Sequence, residues 1–237
     1  MELEGKNAII TGGGRGLGKA LALTLAREGV NIGITGRNAS SLAVAVEELK
    51  KLGIAAYHAA FPVGQATAVT DGIAGLADKL GGIDILINNA GVATFGSVEE
   101  MAIDEWENII QTNLFGVYYT AKAVIPYMKK RGEGDIVNIA STAGLKGAPS
   151  MSAYCASKAA VIAFSQSLMG ELRKRNIRVF TLTPSTIATD MSIEAGLTDG
   201  NPEKVLQPED FAEWVRDMLK MKRRALIANG SIFSTNP

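Results

Sequence analysis

Cysteine and histidine are almost absent from this sequence of 237 residues, which contains one of each, Cys155 and His58. A single cysteine excludes an intramolecular disulfide framework. The pair also falls short of the Cys/His ligand set of a structural zinc site, so we expect no metal site. A Ser-His-Asp triad would need His58, which lies in the apolar run 54–61 and which we interpret as a packed strand residue.

An excess of charge of one sign and a long hydrophobic span are also missing. Lys plus Arg and Asp plus Glu number 24 each, so nothing indicates a nucleic-acid partner or an anionic membrane surface. The uncharged stretch 52–70 contains Pro62 and Gln65 and is a poor spanning helix. Residues 1–5 lack the basic and apolar regions of a secretory signal, so we expect a cytoplasmic protein.

Hydrophobic residues make up 47% of the chain and follow an alternating pattern. Short runs rich in Ile and Val alternate with longer segments of helical periodicity, which predicts βαβ units and a sheet covered on both faces. The sequence thus predicts an α/β fold, a single doubly wound Rossmann-type domain over residues 1–237 with a mostly parallel seven-stranded sheet and built-in catalytic residues. The predicted strands are 6–11, 30–35, 54–61, 83–87, 135–140, 177–183 and 225–228, and the predicted helices are 16–27, 40–52, 66–80, 103–130, 152–175 and 208–220.

A glycine-rich segment, residues 11–18, follows the first predicted strand with the spacing G-x-x-x-G-x-G, and a helix begins within it. Glycines allow the backbone to approach a pyrophosphate closely, and the helix N-terminus offers free N–H groups. We therefore predict a dinucleotide-binding loop, with a bare strand-to-helix turn as the alternative. The predicted cofactor contacts in this loop are Gly12, Gly14, Arg15, Gly16, Leu17 and Gly18.

The end of the second predicted strand bears on which dinucleotide binds. An NAD-binding domain usually has Asp or Glu about 20 residues after the glycines, on the ribose 2′-hydroxyl. Residues 30–46 contain no acidic residue, and Arg37 follows the strand instead. Because a guanidinium can pair with a 2′-phosphate, the sequence predicts NADP(H), with Arg15 as a second candidate contact. A solvated turn residue is the alternative interpretation of Arg37.

Ser141, Tyr154 and Lys158 form the predicted catalytic group. Ser141 follows the fifth strand at the ligand-binding edge, and Tyr154 and Lys158 lie four residues apart on one face of the next helix. An ammonium beside a phenol lowers the pKa of the tyrosine. Tyr154 is therefore expected to donate a proton to a carbonyl oxygen, with the Ser141 hydroxyl bonded to the same oxygen.

The Tyr-x-x-x-Lys spacing alone does not identify the tyrosine, because Tyr118 and Lys122 repeat it. This second copy lies inside a predicted helix with no strand-end serine before it, so we interpret Tyr118 as helix packing and Lys122 as part of a solvated face. Two strand-end segments, 88–91 and 184–189, complete the predicted site, although each could be an ordinary turn. Their expected cofactor contacts are Asn89, Ala90, Gly91, Pro184, Ile187 and Thr189.

Together these motifs resemble the short-chain dehydrogenase/reductase family, in the family's order and over nearly the whole chain, residues 6–228. The resemblance implies a catalytic tetrad of Asn113, Ser141, Tyr154 and Lys158. In it, Lys158 also holds the nicotinamide ribose, and Asn113 positions a water that passes protons to Lys158. Val63 corresponds to the second residue of the family's Asp-Val pair at the cofactor. The resemblance further implies a homotetramer, or a dimer, formed through the two long helices.

Within the family, segments 84–91 and 152–159 are most similar to those of bacterial 3-oxoacyl-[acyl-carrier-protein] reductases. This implies NADPH-dependent reduction of a ketone to a secondary alcohol, with a 3-oxoacyl thioester on an acidic acyl carrier protein as substrate. The docking arginines of such reductases match Arg131 and Arg175, although cations at helix C-termini also complement the helix dipole. A small-molecule diketone, sugar or aromatic ketone is the alternative substrate, and a non-catalytic cofactor sensor is the alternative function.

Three departures from the family pattern bear on the substrate and cofactor. Pro62 stands where the family has an Asp that bonds the adenine amino group, and proline is unable to make that bond. Ser185 replaces the glycine of the Pro-Gly pair after the sixth strand. The segment 191–207 is short for the substrate lid of a carrier-protein reductase.

Overall fold

A parallel sheet forms the centre of the protein, which the computed structural model describes over residues 2–235. Within these residues it has seven strands in the order β3-β2-β1-β4-β5-β6-β7, and every neighbouring pair is parallel. The predicted fold is confirmed, and the sheet is parallel throughout. The strands are β1 (Asn7–Thr11), β2 (Asn31–Gly36), β3 (Ala56–Ala60), β4 (Ile85–Asn88), β5 (Gly134–Ile139), β6 (Ile177–Pro184) and β7 (Asn229–Ile232).

Helices cover both faces of the sheet, because side chains that alternate along each strand enter two separate cores. Ile10 of β1 belongs to the core under the first, second and last long helices, whereas its neighbour Ile9 belongs to the opposite core. Each fully buried side chain of this size contributes roughly 1.5–3 kcal/mol. The helices are α1 (Gly16–Arg27), α2 (Ala39–Lys50), α3 (Ala66–Leu80), α4 (Ile103–Ile110), α5 (Gly116–Arg131), α6 (Ser152–Leu172), α7 (Asp190–Glu194) and α8 (Pro208–Lys220).

The chain order reverses between β1 and β4, which are neighbours in the sheet. In open parallel sheets, ligands bind outside the carboxyl ends of the strands at such a switch point. The glycine loop after β1 and the segment after β4 therefore meet at the edge where a ligand is expected.

The predicted seventh strand, 225–228, is wrong, because β7 begins only at Asn229. The buried Arg178 side chain donates hydrogen bonds to the carbonyl oxygens of Met221 and Ala225, at 3.1 and 3.4 Å. These bonds hold the chain in a connection before it pairs with β6. The strand itself was missed because it is short, polar and partly exposed.

Three other differences concern helices near the expected site. The predicted helix 103–130 is divided into α4 and α5 by a π-helical turn at Gln111–Phe115. The predicted helix 152–175 ends at Leu172 and continues as a 3-10 turn, Arg173–Arg175. The short helix α7 was not predicted; Thr189 and Ser192 cap its first turn reciprocally.

No helix within residues 2–235 combines the length and apolarity needed to cross a membrane.

Candidate functional site

The glycine loop packs too closely against its surroundings to accept side chains at several positions, among them Gly12 and Gly18. A Cβ at Gly18 would lie 2.1 Å from the Gly12 carbonyl oxygen, and a Cβ at Gly12, where φ is 67°, would lie 2.9 Å from Asn89 Nδ2. The Asn89 amide donates to the carbonyl oxygens of Thr11 and Gly12, at 2.9 and 3.3 Å. Asn89 thus ties the loop to the end of β4.

Arg37 lies beside this loop, at the end of β2, and is exposed. Its guanidinium makes no hydrogen bond or ion pair with any other residue in the described range 2–235. A Cβ at Gly14 would lie 3.2 Å from Ser41 Oγ, so the loop borders the first turn of α2, which begins two residues after Arg37. Arg15 is also exposed and lies 3.7 Å from the Asp190 carboxylate of α7. Two guanidinium groups therefore flank the loop, and that of Arg37 is available to an anion.

The other predicted cofactor contacts lie at the same edge of the sheet. The backbone N–H groups of Asn89 and Ala90 both donate to Thr11 Oγ1 at 3.0 Å. Thr189 faces the loop, since a Cβ at Gly16 would lie 3.8 Å from Thr189 Cγ2. Leu17 is half-buried, and Gly91, Pro184 and Ile187 are half-buried or buried at strand ends. Val63 follows β3, but its side chain packs against Gly116, which leaves its backbone as the group that could face a cofactor.

The predicted catalytic side chains come together after β5. The Tyr154 hydroxyl is hydrogen-bonded to Ser141, and Lys158 Nζ lies 5.7 Å from the centroid of the Tyr154 ring. Lys158 is only 6% exposed, and its ammonium donates to the Ile139 carbonyl oxygen at 2.9 Å. A phenol, a hydroxyl and a buried amine therefore share one edge of the sheet with the glycine loop.

Asn113 is fully buried in the π-helical turn, and its side chain joins two parts of the site. Its Oδ1 accepts from the Val92 N–H at 2.8 Å, and its Nδ2 donates to the Val92 carbonyl at 2.9 Å and to Ser157 Oγ at 3.1 Å. Ser157 in turn donates to the Tyr154 carbonyl at 2.8 Å. Sequence reasoning did not single out Ser157, although its place between Tyr154 and Lys158 on one helix was a usable signal. Asn113 thus fixes the loop after β4 to the helical turn that carries Tyr154.

The pKa values of the two central groups shift because of burial. Burial lowers the pKa of Lys158 to about 8. Burial raises the pKa of Tyr154, and the hydrogen bond with Ser141 acts in the opposite direction but does not reverse the change. The expectation that Lys158 lowers the pKa of Tyr154 is therefore wrong for this arrangement. The reason is that burial dominates the shift, while the Lys158 ammonium is bonded to a backbone carbonyl rather than to the phenol.

The lowered pKa of Lys158 predicts a pH-dependent stability. Between pH 8 and the ordinary lysine value of 10.5, the unfolded chain binds more protons at this residue than the folded chain. The free energy of unfolding therefore rises with pH in this window. From pH 7.5 to 9.5, wild type should gain about 2 kcal/mol relative to Lys158→Met, as measured by urea unfolding. The exposed Lys122→Met is the matched control, with the same difference from wild type at both pH values. A Lys158→Met difference that stays constant would contradict the shift.

The second Tyr-x-x-x-Lys copy reproduces the local geometry without the surroundings. Lys122 Nζ also lies 5.7 Å from the centroid of the Tyr118 ring, and it donates to the Tyr118 hydroxyl at 3.4 Å. Tyr118, however, is 40% exposed and packs against Phe164, and Lys122 is exposed. Helical spacing alone thus brings an ammonium to a phenol ring, and burial beside Ser141 is what distinguishes Tyr154.

His58 and the two basic clusters lie away from this group. His58 is paired opposite Ile34 on the outer strand β3, with its Nδ1 buried and without a partner among the described residues, so it does not meet Ser141. No group of three or more His, Cys, Asp or Glu side chains within residues 2–235 is arranged to hold a metal ion.

Clusters 129–131 and 173–175 precede β5 and β6, at the edge opposite Tyr154. Arg131 there is bound to the Gly81 carbonyl and to Asp84 of its own chain.

Comparisons with known proteins agree with this geometry. A family model described as short chain dehydrogenase matches residues 6–199. The chain is 36% identical over 216 residues to a 3-oxoacyl-[acyl-carrier-protein] reductase of Chlamydia pneumoniae, covering 91% of this chain and 83% of that protein. It is 34% identical over 213 residues to gluconate 5-dehydrogenase of Gluconobacter oxydans, covering 90% and 79%.

Two solved structures share the complete fold. One is an alcohol dehydrogenase from the archaeon Thermococcus sibiricus complexed with 5-hydroxy-NADP, with a TM-score of 0.90, 28% identity and coverage of 98% of this chain and 97% of that chain. The other is an NAD+-bound xylitol dehydrogenase, with a TM-score of 0.91, 27% identity and coverage of 99% and 100%. Since the family model spans most of the sequence and relatives exceed 30% identity over about nine-tenths of it, this chain belongs to the short-chain dehydrogenase family of oxidoreductases.

Proposed function

We propose that this protein is an NADP(H)-dependent carbonyl reductase in which Tyr154 donates the proton. The observation that carries the proposal is the grouping of Tyr154, Ser141 and Lys158 at the sheet edge that also bears the glycine loop. A cofactor sensor would need the loop but would have no use for a buried amine beside a phenol and a hydroxyl. Turnover of a ketone with NADPH by the wild type, and its loss in Tyr154→Phe, separates the two functions.

The residues present fit a nicotinamide dinucleotide. The loop at Gly12 and Gly18 leaves no space for a Cβ, as expected of a backbone that cradles a pyrophosphate. When bound, the nicotinamide would supply a hydride to the carbonyl carbon. Contacts are proposed at Gly14, Gly16, Leu17, Asn89 to Gly91, Val63, Pro184, Ile187 and Thr189, with Lys158 on the nicotinamide ribose.

The proton is proposed to move through residues of this chain. The Tyr154 hydroxyl would give its proton to the carbonyl oxygen, while the Ser141 hydroxyl donates a hydrogen bond to the same oxygen. The phenol of Tyr154, whose pKa is raised by burial, carries its proton at neutral pH, and the hydrogen bond with Ser141 acts against that increase. Lys158, with a pKa of about 8, is suited to return a proton to Tyr154 near neutral pH. Asn113, on its π-helical turn, is proposed to hold the water that resupplies Lys158.

Arg37 is proposed to select NADP(H) over NAD(H), because an exposed guanidinium beside the glycine loop can pair with a 2′-phosphate. Arg37→Asp should weaken NADPH binding by about 10- to 100-fold, which corresponds to the loss of one hydrogen bond to a charged group. It should change NADH binding little. Titration of both variants with both cofactors measures this. Arg224→Asp, at another exposed position, should leave both affinities unchanged. Equal affinity of the wild type for NADPH and NADH would refute the assignment.

A 3-oxoacyl-[acyl-carrier-protein] thioester is the proposed substrate, supported by the similarity to carrier-protein reductases. A small-molecule ketone or sugar is the second candidate, favoured by the similarity to gluconate 5-dehydrogenase. We further propose a cytoplasmic homotetramer, or a dimer, that packs through α5 and α6. In an antiparallel pair of these helices, the basic clusters of one copy, 129–131 and 173–175, lie beside the catalytic edge of the other copy.

Carrier docking should then depend on Arg175, since Arg131 is engaged with Asp84. Arg175→Glu is expected to raise KM for an acyl-carrier-bound thioester several-fold, and more so at low ionic strength. Its KM for a small free ketone should stay the same. Lys51→Glu, at the end of α2 on the other half of the sheet, is the charge-matched control. An equal rise in KM for both substrates would instead indicate structural damage. An unchanged KM for both would favour a small-molecule ketone as the natural substrate.

A further inference from the structure

The loop that follows β4 is fixed at two points next to the proposed catalytic group. At one point, the backbone of Val92 is bonded to the buried Asn113 side chain in both directions. At the other, the Gly96 N–H donates at 2.9 Å to the carbonyl of Ser150, a non-glycine residue with φ of 60° just before α6. The three residues between these anchors include Phe95, so its backbone is held close to the start of α6.

Phe95 is half-buried and directs its ring at Tyr154. The two ring centroids are 6.2 Å apart, and the ring planes are inclined at 83°, an edge-to-face contact. Such pairs contribute beyond their apolar burial, because the positive edge of one ring meets the negative face of the other. Tyr154 is therefore held from three directions, by Ser141 at its hydroxyl, by Lys158 near its ring and by Phe95.

Further apolar side chains lie on segments at the same edge. Leu145 is 59% exposed and lies shortly after Ser141, and Met191 is 41% exposed on α7, shortly after Thr189. Both side chains lie on segments that adjoin proposed site residues, and apolar linings with a few polar groups are typical of ligand pockets.

We propose that Phe95 is a specificity-determining residue of the carbonyl site. Its ring shields Tyr154 from water and forms the wall on which an apolar substituent of the ketone packs. The proposal rests on the role of Tyr154 proposed above, and it names the substrate class as ketones that carry an extended apolar group on one side of the carbonyl.

The first test compares 2-octanone with 2-butanone, two ketones that differ only in the length of the apolar chain. Wild type with NADPH should have the higher kcat/KM for 2-octanone, and Phe95→Ala should reduce this preference by about 10-fold or more. Phe95→Leu, which keeps an apolar wall, should retain most of the preference. A preference that is the same in wild type and Phe95→Ala would overturn the proposal.

The second test needs no turnover. The ionisation of Tyr154 is followed by ultraviolet absorbance, as the difference between each protein and the same protein carrying Tyr154→Phe. Phe95→Ala should lower the titration midpoint of Tyr154, because water then reaches the phenol, and an unmoved midpoint would also overturn the proposal. If wild type reduces neither these two ketones nor a 3-oxoacyl thioester, the proposed function fails, and the titration still decides the role of Phe95. Should Phe95→Ala not fold, Phe95→Asn, a larger but polar side chain, is expected to show the same two changes.

The chain supplies a matched control for both tests. Phe164 meets Tyr118 in the same edge-to-face geometry, with centroids 6.2 Å apart and planes inclined at 89°. Phe164→Leu should leave the preference between the ketones and the titration of Tyr154 unchanged. A change as large as that in Phe95→Ala would show that loss of any such ring pair is sufficient, and would overturn the specific role of Phe95.

Discussion

Replacing Tyr154 by Phe is expected to lower kcat for ketone reduction at least ~100-fold, the lower end of the contribution of general acid catalysis. The substitution removes one hydroxyl and keeps the ring that contacts Phe95 and lies near Lys158. Cofactor affinity should therefore change little, and steady-state kinetics with NADPH together with a cofactor titration measure both quantities.

Tyr118→Phe is the matched control, because Tyr118 has a lysine at the same spacing and at the same 5.7 Å from its ring. Its hydroxyl lies on an exposed helix face, away from Ser141, so the variant should stay nearly fully active. Similar losses in the two tyrosine variants would show that Tyr154 has been wrongly assigned.

Gly18→Ala is expected to abolish detectable cofactor binding, although alanine is the better helix former and Gly18 lies within α1. The added Cβ would lie 2.1 Å from the Gly12 carbonyl oxygen and 2.6 Å from Asn89 Nδ2, so the backbone of the loop must move. Overpacking of this kind costs roughly 1–3 kcal/mol of stability, and the displaced loop no longer fits a pyrophosphate. Isothermal titration with NADPH and urea unfolding report the two effects.

Gly75→Ala is the control for the helix propensity of alanine. Gly75 lies in α3, and no atom lies within 4 Å of the Cβ that would be added there. This variant should be more stable than wild type by up to ~1 kcal/mol and should bind NADPH normally. If Gly18→Ala behaves in the same way, the close approach at the loop has no functional meaning.

The sequence predicted the fold and the location of the site because both depend on strong local patterns. Buried parallel strands are nearly continuous apolar runs, and the carboxyl ends of neighbouring strands must meet. The position of Ser141 after β5 and of Tyr154 on the next helix was therefore enough to expect them together. The family resemblance added Asn113, whose spacing alone carried no signal.

Features that depend on long-range contacts were not predictable in the same way. The late start of β7 depends on Arg178, which binds carbonyl oxygens about 45 residues further along the chain. The π-helical turn at Asn113 has the same apolar periodicity as the helices on either side. The direction of the Tyr154 pKa was mistaken, because burial and the partner of Lys158 decide it, and the i, i+4 spacing gives no information on either.

Arg178 also limits how far the chain can be shortened. Its side chain is buried, forms a two-point ion pair with Asp135, and donates to the carbonyls of Leu219, Met221 and Ala225. Trimming the chain after α8 would remove two of these acceptors and leave part of a buried guanidinium without hydrogen bonds. Breaking up such a buried ionic group is strongly destabilising. The short last strand and the connection before it are therefore an integral part of the folding unit, and insertions or fusion partners belong beyond them.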